Sequence, residues 1–146
     1  MKSFIVVLGI ASLLLMHAVG MSAEFGSPGA GPYYFTKFTG KNLFLIEIRL
    51  AGKNLLVGQN SATIFLTDDH RNIVSGAEVR VLPVMTAHGE STSLRPFVQE
   101  ISDGLYAVEN LYIDIEGNWT VKVTVRKDEI SDSVSFDFPG VKRRTP

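Results

Sequence analysis

Cysteine is absent from this chain of 146 residues. Without thiols the protein can form no disulfide bond, and it offers no thiolate for a zinc or iron–sulfur site. An excess of one charge is lacking too, because 14 basic residues stand against 15 acidic ones and the formal net charge is −1. Nucleic acid is therefore not expected as a partner, since binding to phosphate backbones relies on clustered positive charge.

The sequence motifs of common enzyme classes are also missing. No serine stands in a nucleophile-elbow pattern, no His-Glu-x-x-His pair occurs, and no glycine-rich loop precedes a helical segment. Histidine is scarce, because only His70 and His88 lie beyond the N-terminal segment. We therefore expect no enzymatic activity and no catalytic residues.

The N-terminal segment has the layout of a secretory signal peptide. Lys2 supplies a short positive region, and an apolar run over residues 4–16 is interrupted by Gly9 and Ser12. Small residues follow, as is typical of a cleavage site. We predict a signal peptide over residues 1–23 and hence a periplasmic or extracellular protein. The alternative is an uncleaved membrane anchor, for which the run is short against the roughly 20 residues that span a bilayer.

The rest of the chain is a series of short segments in which apolar and polar residues alternate. In residues 119–125 a tryptophan and three valines alternate with polar residues, and this period of two is typical of a half-buried antiparallel strand. Turn signals separate such segments about every ten residues, and no segment has the period of a long amphipathic helix. The predicted strands cover residues 43–50, 60–67, 77–84, 96–101, 105–111, 119–125 and 134–138.

This pattern predicts an all-β fold, namely an immunoglobulin-like antiparallel β-sandwich of seven to eight strands. Residues 24–41 are predicted as a flexible lead-in, residues 42–139 as the sandwich domain, and residues 140–146 as a basic C-terminal tail. We expect the three basic residues of this tail to be solvated rather than to contact a membrane. Tyr106 and Trp119, which follow glycines at strand starts, are expected in the core.

The candidate site lies where a strand passes into a loop. Met85 and His88 form a Met-x-x-His motif there, and thioether sulfur with imidazole nitrogen is a donor pair that suits Cu(I). Two such ligands favour weak binding, and Glu90 nearby is a hard oxygen donor. In the alternative interpretation, Met85 fills a gap at the end of its strand and His88 is an exposed loop residue.

The remaining candidate ligands, one histidine and two acids, are expected at different ends of the sandwich. His70 precedes the strand that Met85 ends, so about twelve residues at 3.3 Å each separate the two by roughly 40 Å. If consecutive strands run antiparallel, Asp114 and Glu116 are further carboxylates expected near His88. We interpret His70 as a turn residue and both acids as solvated loop charges.

The order and spacing of short motifs resemble the YtkA-like family, close to FixH-like periplasmic domains. The resemblance implies a small extracytoplasmic β-sandwich found beside copper-handling and respiratory-assembly systems. Many relatives carry a loop rich in methionine and histidine, of which this chain keeps one methionine and one histidine between residues 84 and 95. The motifs are Gly58-Gln59-Asn60, Thr67-Asp68, Gly76-Ala77-Glu78-Val79, Pro83-Val84-Met85-Thr86-Ala87-His88-Gly89, Gly104-Leu105-Tyr106 and Gly117-Asn118-Trp119.

Two functional hypotheses follow from these observations. In the first, an exported accessory protein binds copper weakly through Met85 and His88 and takes part in metal handling or in the assembly of an efflux or oxidase complex. In the second, the protein is an immunoglobulin-like interaction module of the cell envelope that holds no metal. It would then dock onto an envelope partner through the loop over residues 85–95 or through a sheet edge.

Overall fold

The computed structural model describes residues 34–89, 91–92 and 94–145, and the predicted signal peptide over residues 1–23 lies outside them. Within this described part of the chain, no helix is long and apolar enough to cross a membrane. The described residues form eight strands: β1 (Tyr34–Phe38), β2 (Phe44–Leu50), β3 (Gly58–Asp68), β4 (Glu78–Met85), β5 (Phe97–Ser102), β6 (Leu105–Ile113), β7 (Gly117–Lys127) and β8 (Ile130–Val141).

The strands form two sheets in which every pair of neighbours is antiparallel. The larger sheet has the order β1-β2-β3-β6-β5, and the smaller one has the order β4-β7-β8. The inward side chains of both sheets belong to a single hydrophobic core. The all-β sandwich predicted from the sequence is confirmed.

The period-two alternation of β7 explains how the sheets hold together. Trp119 is 3 % exposed, whereas Val121, Val123 and Val125 are fully buried. The polar residues between them face outward, because successive side chains of a strand point to opposite faces. Each fully buried valine contributes on the order of 1.5–3 kcal/mol relative to an exposed one. Tyr106 is also buried, as the sequence predicts.

Strand β1 lies inside the region that the sequence predicts as a flexible lead-in. It pairs with β2 from Tyr34 opposite Arg49 to Phe38 opposite Leu45. Four of its five side chains are exposed, so its residues show no period-two pattern. Strand β8 in turn continues to Val141. The sandwich therefore begins before residue 42 and continues past residue 139.

Partly exposed polar contacts join the two sheets at the entry to β4. The hydroxyl oxygen of Tyr106 in β6 accepts the N–H of Ala77 at 3.0 Å. The carboxylate of Glu100 in β5 accepts the N–H of Gly76 at 2.9 Å and that of Gly104 at 3.0 Å. Because residues 76 and 77 lead into β4 of the smaller sheet, these bonds fix one sheet against the other.

Gly104 is held in the left-handed region, with φ of 67°, at a place where the chain is tightly packed. A Cβ there would lie 2.6 Å from Cγ2 of Ile73 and 3.0 Å from the carbonyl oxygen of Leu66. Gly89 has nearly the same φ, 66°, and a Cβ there would meet nothing within 4 Å. The two glycines thus share a backbone conformation and differ in their surroundings.

We predict that Gly104→Ala lowers the free energy of unfolding more than Gly89→Ala does. Both variants carry the left-handed cost of about 1–2 kcal/mol. Gly104→Ala adds a steric overlap with a typical cost of about 1–3 kcal/mol. Urea unfolding of both variants measures the difference, and equal losses of stability would show that Gly104 is not closely packed.

A second prediction concerns the dependence of stability on pH. The N–H of Gly104, followed by that of Gly76 and the Tyr106 hydroxyl, lowers the pKa of the Glu100 carboxyl, although partial desolvation opposes them. A depressed folded-state pKa means that the carboxylate stabilises the fold above its unfolded-state pKa. That contribution is lost as the pH falls through the folded-state pKa.

Glu100→Gln should therefore lower the free energy of unfolding at about pH 7 and have a smaller effect at about pH 3. Urea unfolding of the variant and the unaltered protein over this pH range measures the loss of stability. Glu109→Gln, on the exposed side of β6, is the matched control. If Glu100→Gln costs the same at both pH values, the ionised carboxylate does not hold the Gly76 and Gly104 amides.

Candidate functional site

A tight turn follows β4 and carries both predicted metal ligands. The carbonyl oxygen of Met85, the last residue of β4, accepts the N–H of His88 at 3.3 Å and that of Gly89 at 2.9 Å. Gly89 supports this turn with its left-handed φ. The side chains of Met85 and His88 therefore leave the backbone from one turn, which we name the Met85 turn (residues 85–89).

The Met85 side chain is partly buried and packs against the hydrophobic core. A Cβ added at Gly117 would lie only 2.9 Å from Cε of Met85, so the terminal methyl group rests against the start of β7. Met85 also stands opposite Trp119 in the pairing of β4 with β7. The thioether thus has a packing role whether or not it binds a metal, in keeping with the use of methionine to fill irregular gaps.

The imidazole of His88 is exposed. No hydrogen bond or ion pair to this ring comes from any of the residues that the structure describes. An exposed imidazole is accessible to a metal ion, but it is held only by its own turn. This position suits exchange of a ligand rather than its long-term retention.

The Met85 turn lies beside the turn between β6 and β7, as the sequence predicts for antiparallel neighbours. The N–H of Thr86 donates to the carbonyl oxygen of Asn118 at 2.9 Å. The Oδ1 of the same Asn118 accepts the N–H of Gly140 in β8 at 2.8 Å. Asn118 therefore connects the Met85 turn to the end of β8, which the sequence motifs did not reveal.

The two carboxylates expected near His88 lie in that neighbouring turn, and both are exposed. Oε1 of Glu116 accepts the N–H of Arg143 at 3.1 Å, which ties the C-terminal residues to this end of the sandwich. Asp114 has no such bond to a described residue. Glu90, the hard donor noted in the sequence, lies outside the described residues.

His70 belongs to the opposite end of the sandwich, as expected. Strand β3 pairs Gly58 with Ile113 near the β6–β7 turn, and its 11 residues reach Asp68 roughly 35 Å away at 3.3 Å per residue. Nδ1 of His70 lies 2.7 Å from Oδ1 of Asp69. His70 and the Met85 turn therefore cannot share one metal ion.

His70 belongs to a cluster of possible ligands that the sequence motifs did not indicate. Candidate ligand atoms of Asp68, Asp69 and His70 lie within 4.8 Å of one another. The Asp68 carboxylate, however, accepts three hydrogen bonds, from the N–H of His70 and from the backbone and side-chain amides of Asn72. The side-chain bond from Asn72 is the largest cause that lowers the pKa of Asp68. These contacts give the cluster a structural role in closing the turn.

The fold and the site define a cysteine-free, two-sheet β-sandwich domain with a methionine and a histidine on one exposed turn. A model of the YtkA-like family matches residues 45–124, more than half of the chain. The chain therefore belongs to the YtkA-like family. No protein in the curated set gives a significant sequence match.

Two solved structures are similar to this chain at low sequence identity. The first is a DUF4785 family protein from Legionella pneumophila subsp. pneumophila str. Philadelphia 1, with 14 % identity, a TM-score of 0.48 and 69 % of this chain covered. The match covers 29 % of the Legionella chain, so this chain spans less than a third of it. The second is FetP of uropathogenic E. coli strain F11, recombinantly expressed in the periplasm of E. coli, with 14 % identity and a TM-score of 0.48. The match covers 77 % of this chain and 98 % of the FetP chain.

Proposed function

We propose that this YtkA-like protein is an exported, non-catalytic accessory protein of the periplasm that binds copper weakly through Met85 and His88. In this function it would buffer or deliver metal for an efflux or respiratory complex. The observation that carries the proposal is the Met85 turn, in which one carbonyl oxygen bonds two amides and keeps the two donors on a single short loop.

The donor types fit Cu(I) better than a hard cation. A thioether is a soft ligand that selects Cu(I), and a neutral imidazole completes a pair that can bind it in a nearly linear arrangement. The described residues add no third soft ligand, and His88 is held only by the turn. Weak and rapidly exchanging binding suits a protein that passes metal on.

Export is supported by the signal-peptide layout of residues 1–23 and by the absence of cysteine. The domain stabilises itself through its apolar core, so it needs no disulfide bond in an oxidising compartment. Non-catalytic action is supported by the donor set, since the Met85 turn brings no nucleophile and general base together.

A second candidate function, docking to an envelope protein, is favoured by the outer face of the larger sheet. Phe38 and Phe65 face outward there and are 43 % and 37 % exposed. Phe38 stands opposite Leu45, and Phe65 stands opposite Leu105. Such an exposed apolar cluster on a sheet face is a common feature of protein–protein contact surfaces.

Calorimetric titration with Cu(I) tests the copper proposal. We predict binding tighter than about millimolar for the mature protein, and a loss of at least about tenfold in the Met85→Leu, His88→Ala double variant. Met85→Leu retains the volume that packs against Gly117 while it removes the sulfur, so the variant should still fold. His70→Ala, at the far end of the sandwich, is the matched control and should bind copper as the unaltered protein does.

Binding no tighter than millimolar, or binding that the double variant leaves unchanged, would contradict the proposal. A larger loss in His70→Ala than in the double variant would move the site to the Asp68–His70 turn. Titration with Cu(II) under the same conditions distinguishes the soft donor pair from oxygen ligands, since a carboxylate site would favour the oxidised ion.

A further inference from the structure

A groove opens along the side of the sandwich where the end of β8 faces the larger sheet. Its volume is about 550 Å³. The floor is apolar, because Leu50, Leu55, Phe138 and Val141 are each at most 6 % exposed. We name it the β8 groove; it is lined by Phe35, Leu50, Asn54, Leu55, Leu56 and residues 137–142 at the end of β8 and just beyond it.

Hydrogen bonds in the part of β8 that precedes the groove show which edge of the strand faces it. The carbonyl oxygen of Ser133 accepts a hydrogen bond from the N–H of Gly40 at 2.9 Å. The carbonyl oxygen of Ser135 accepts one from Nζ of Lys37 at 2.9 Å. In an antiparallel ladder, alternate residues direct both backbone groups to the same edge. Residues 133, 135 and 137 therefore face away from β7, and the backbone N–H and C=O of Asp137 point toward the groove.

Pro139 agrees with this assignment. It has no N–H, and proline within a sheet occurs where the nitrogen faces a free edge. Beyond it, the carbonyl oxygen of Lys142 is again bonded, to the N–H of Val57 at 3.0 Å. No described residue bonds the backbone groups of Asp137, so among the described residues the edge of β8 is open at Asp137 and Pro139, between the bonded carbonyl oxygens of Ser135 and Lys142.

Two positive charges and one negative charge lie beside the groove, and the carboxylate of Asp137 accepts the Thr120 hydroxyl of β7 at 3.0 Å. Lys142 lines the groove, and a second depression of about 510 Å³ shares Leu50, Asn54 and Leu56 with it and is bordered by Arg144. The Arg144 guanidinium is fixed there, because Nη2 donates to the carbonyl oxygen of Gln59 at 2.7 Å. None of the ion pairs among the described residues involves Lys142 or Arg144.

We propose that the β8 groove binds an extended, acidic segment of a partner protein as an added strand. The segment would bond the N–H and C=O of Asp137, seat an apolar side chain over Leu55 and Phe138, and place carboxylates near Lys142 and Arg144. Main-chain bonds give such a complex its affinity, and the flanking charges select the partner. The groove is a separate surface from the Met85 turn, so the copper experiment can fail without affecting this proposal.

A synthetic peptide tests the groove directly. The probe is the capped heptapeptide EEVFVEE, added to the isotopically labelled mature protein while backbone amide shifts are followed by NMR. We expect shifts confined to residues 135–142 and 54–57, and binding that weakens as salt is raised. The charge-reversed peptide KKVFVKK and the peptide EEPFPEE, which lacks two donor N–H groups, should both bind at least about fivefold more weakly.

Two protein variants separate backbone pairing from charge. Asp137→Pro removes the N–H that faces the groove and keeps the backbone bonds to β7, but it also removes the carboxylate that accepts the Thr120 hydroxyl at 3.0 Å. Asp137→Ala, which loses only that carboxylate, is therefore its control, and we expect about a fivefold loss of affinity for Asp137→Pro relative to Asp137→Ala. Lys142→Glu combined with Arg144→Glu should reduce the affinity about tenfold, whereas Lys122→Glu, the same change on the outer face of β7, should leave it unchanged.

Several outcomes would overturn the proposal. The proposal would be wrong if millimolar peptide caused no shifts, or if all three peptides bound equally well. It would also be wrong if Asp137→Pro, in a variant whose spectrum shows the native fold, left the affinity unaffected. Shifts that centre on Phe65 and Leu105 would assign docking to the outer face of the larger sheet instead. Shifts at residues 135–142 that depend on protein concentration in the absence of peptide would make a second copy of this chain the occupant.

Discussion

The apolar contact between the inward faces of the two sheets is the interaction on which the rest of the structure depends. Strand β7 shows this most clearly, because it lies between β4 and β8 and its four inward side chains are almost completely buried. The contact sets the register of β4 and thereby places Met85 opposite Trp119. The same contact sets the edge of β8 that faces the groove. Both proposed surfaces are therefore consequences of one packed interior.

Polar groups then fix how the sheets meet at their ends. Asp132 of β8 accepts the N–H of Lys41, which lies between β1 and β2, at 2.8 Å. Burial alone would raise the pKa of the Asp132 carboxyl, but hydrogen bonds from Thr39, Lys41 and neighbouring amides outweigh it and lower the pKa. Glu100 and Tyr106 perform the equivalent task at the entry to β4. These bonds favour one arrangement of the sheets, and for the buried Asp132 and Tyr106 the loss of a bond would be costly, since an unbonded polar group in the core is unfavourable.

The strands that alternate could be read from the sequence, and the contacts that cross the sandwich could not. β7 and β2 follow the period of two closely, whereas β1 is exposed at a sheet edge and gives no such signal. The spacing of Met85 and His88 predicts one turn, yet the contact of the Met85 methyl group with Gly117 depends on strand register. The open edge at Asp137 likewise depends on which alternate residues face away from β7.

Hydrogen exchange of the backbone amides tests this arrangement most directly. In the intact protein, the amides of Val134 and Phe136 should be strongly protected, since they pair with Val123 and Val121 of β7. The amide of Asp137, the next residue along the strand, should exchange faster than that of Phe136 by orders of magnitude. Protection of Asp137 equal to that of Phe136 would show that its N–H is bonded. That result would contradict the assignment of the open edge, and the β8 groove would then be closed.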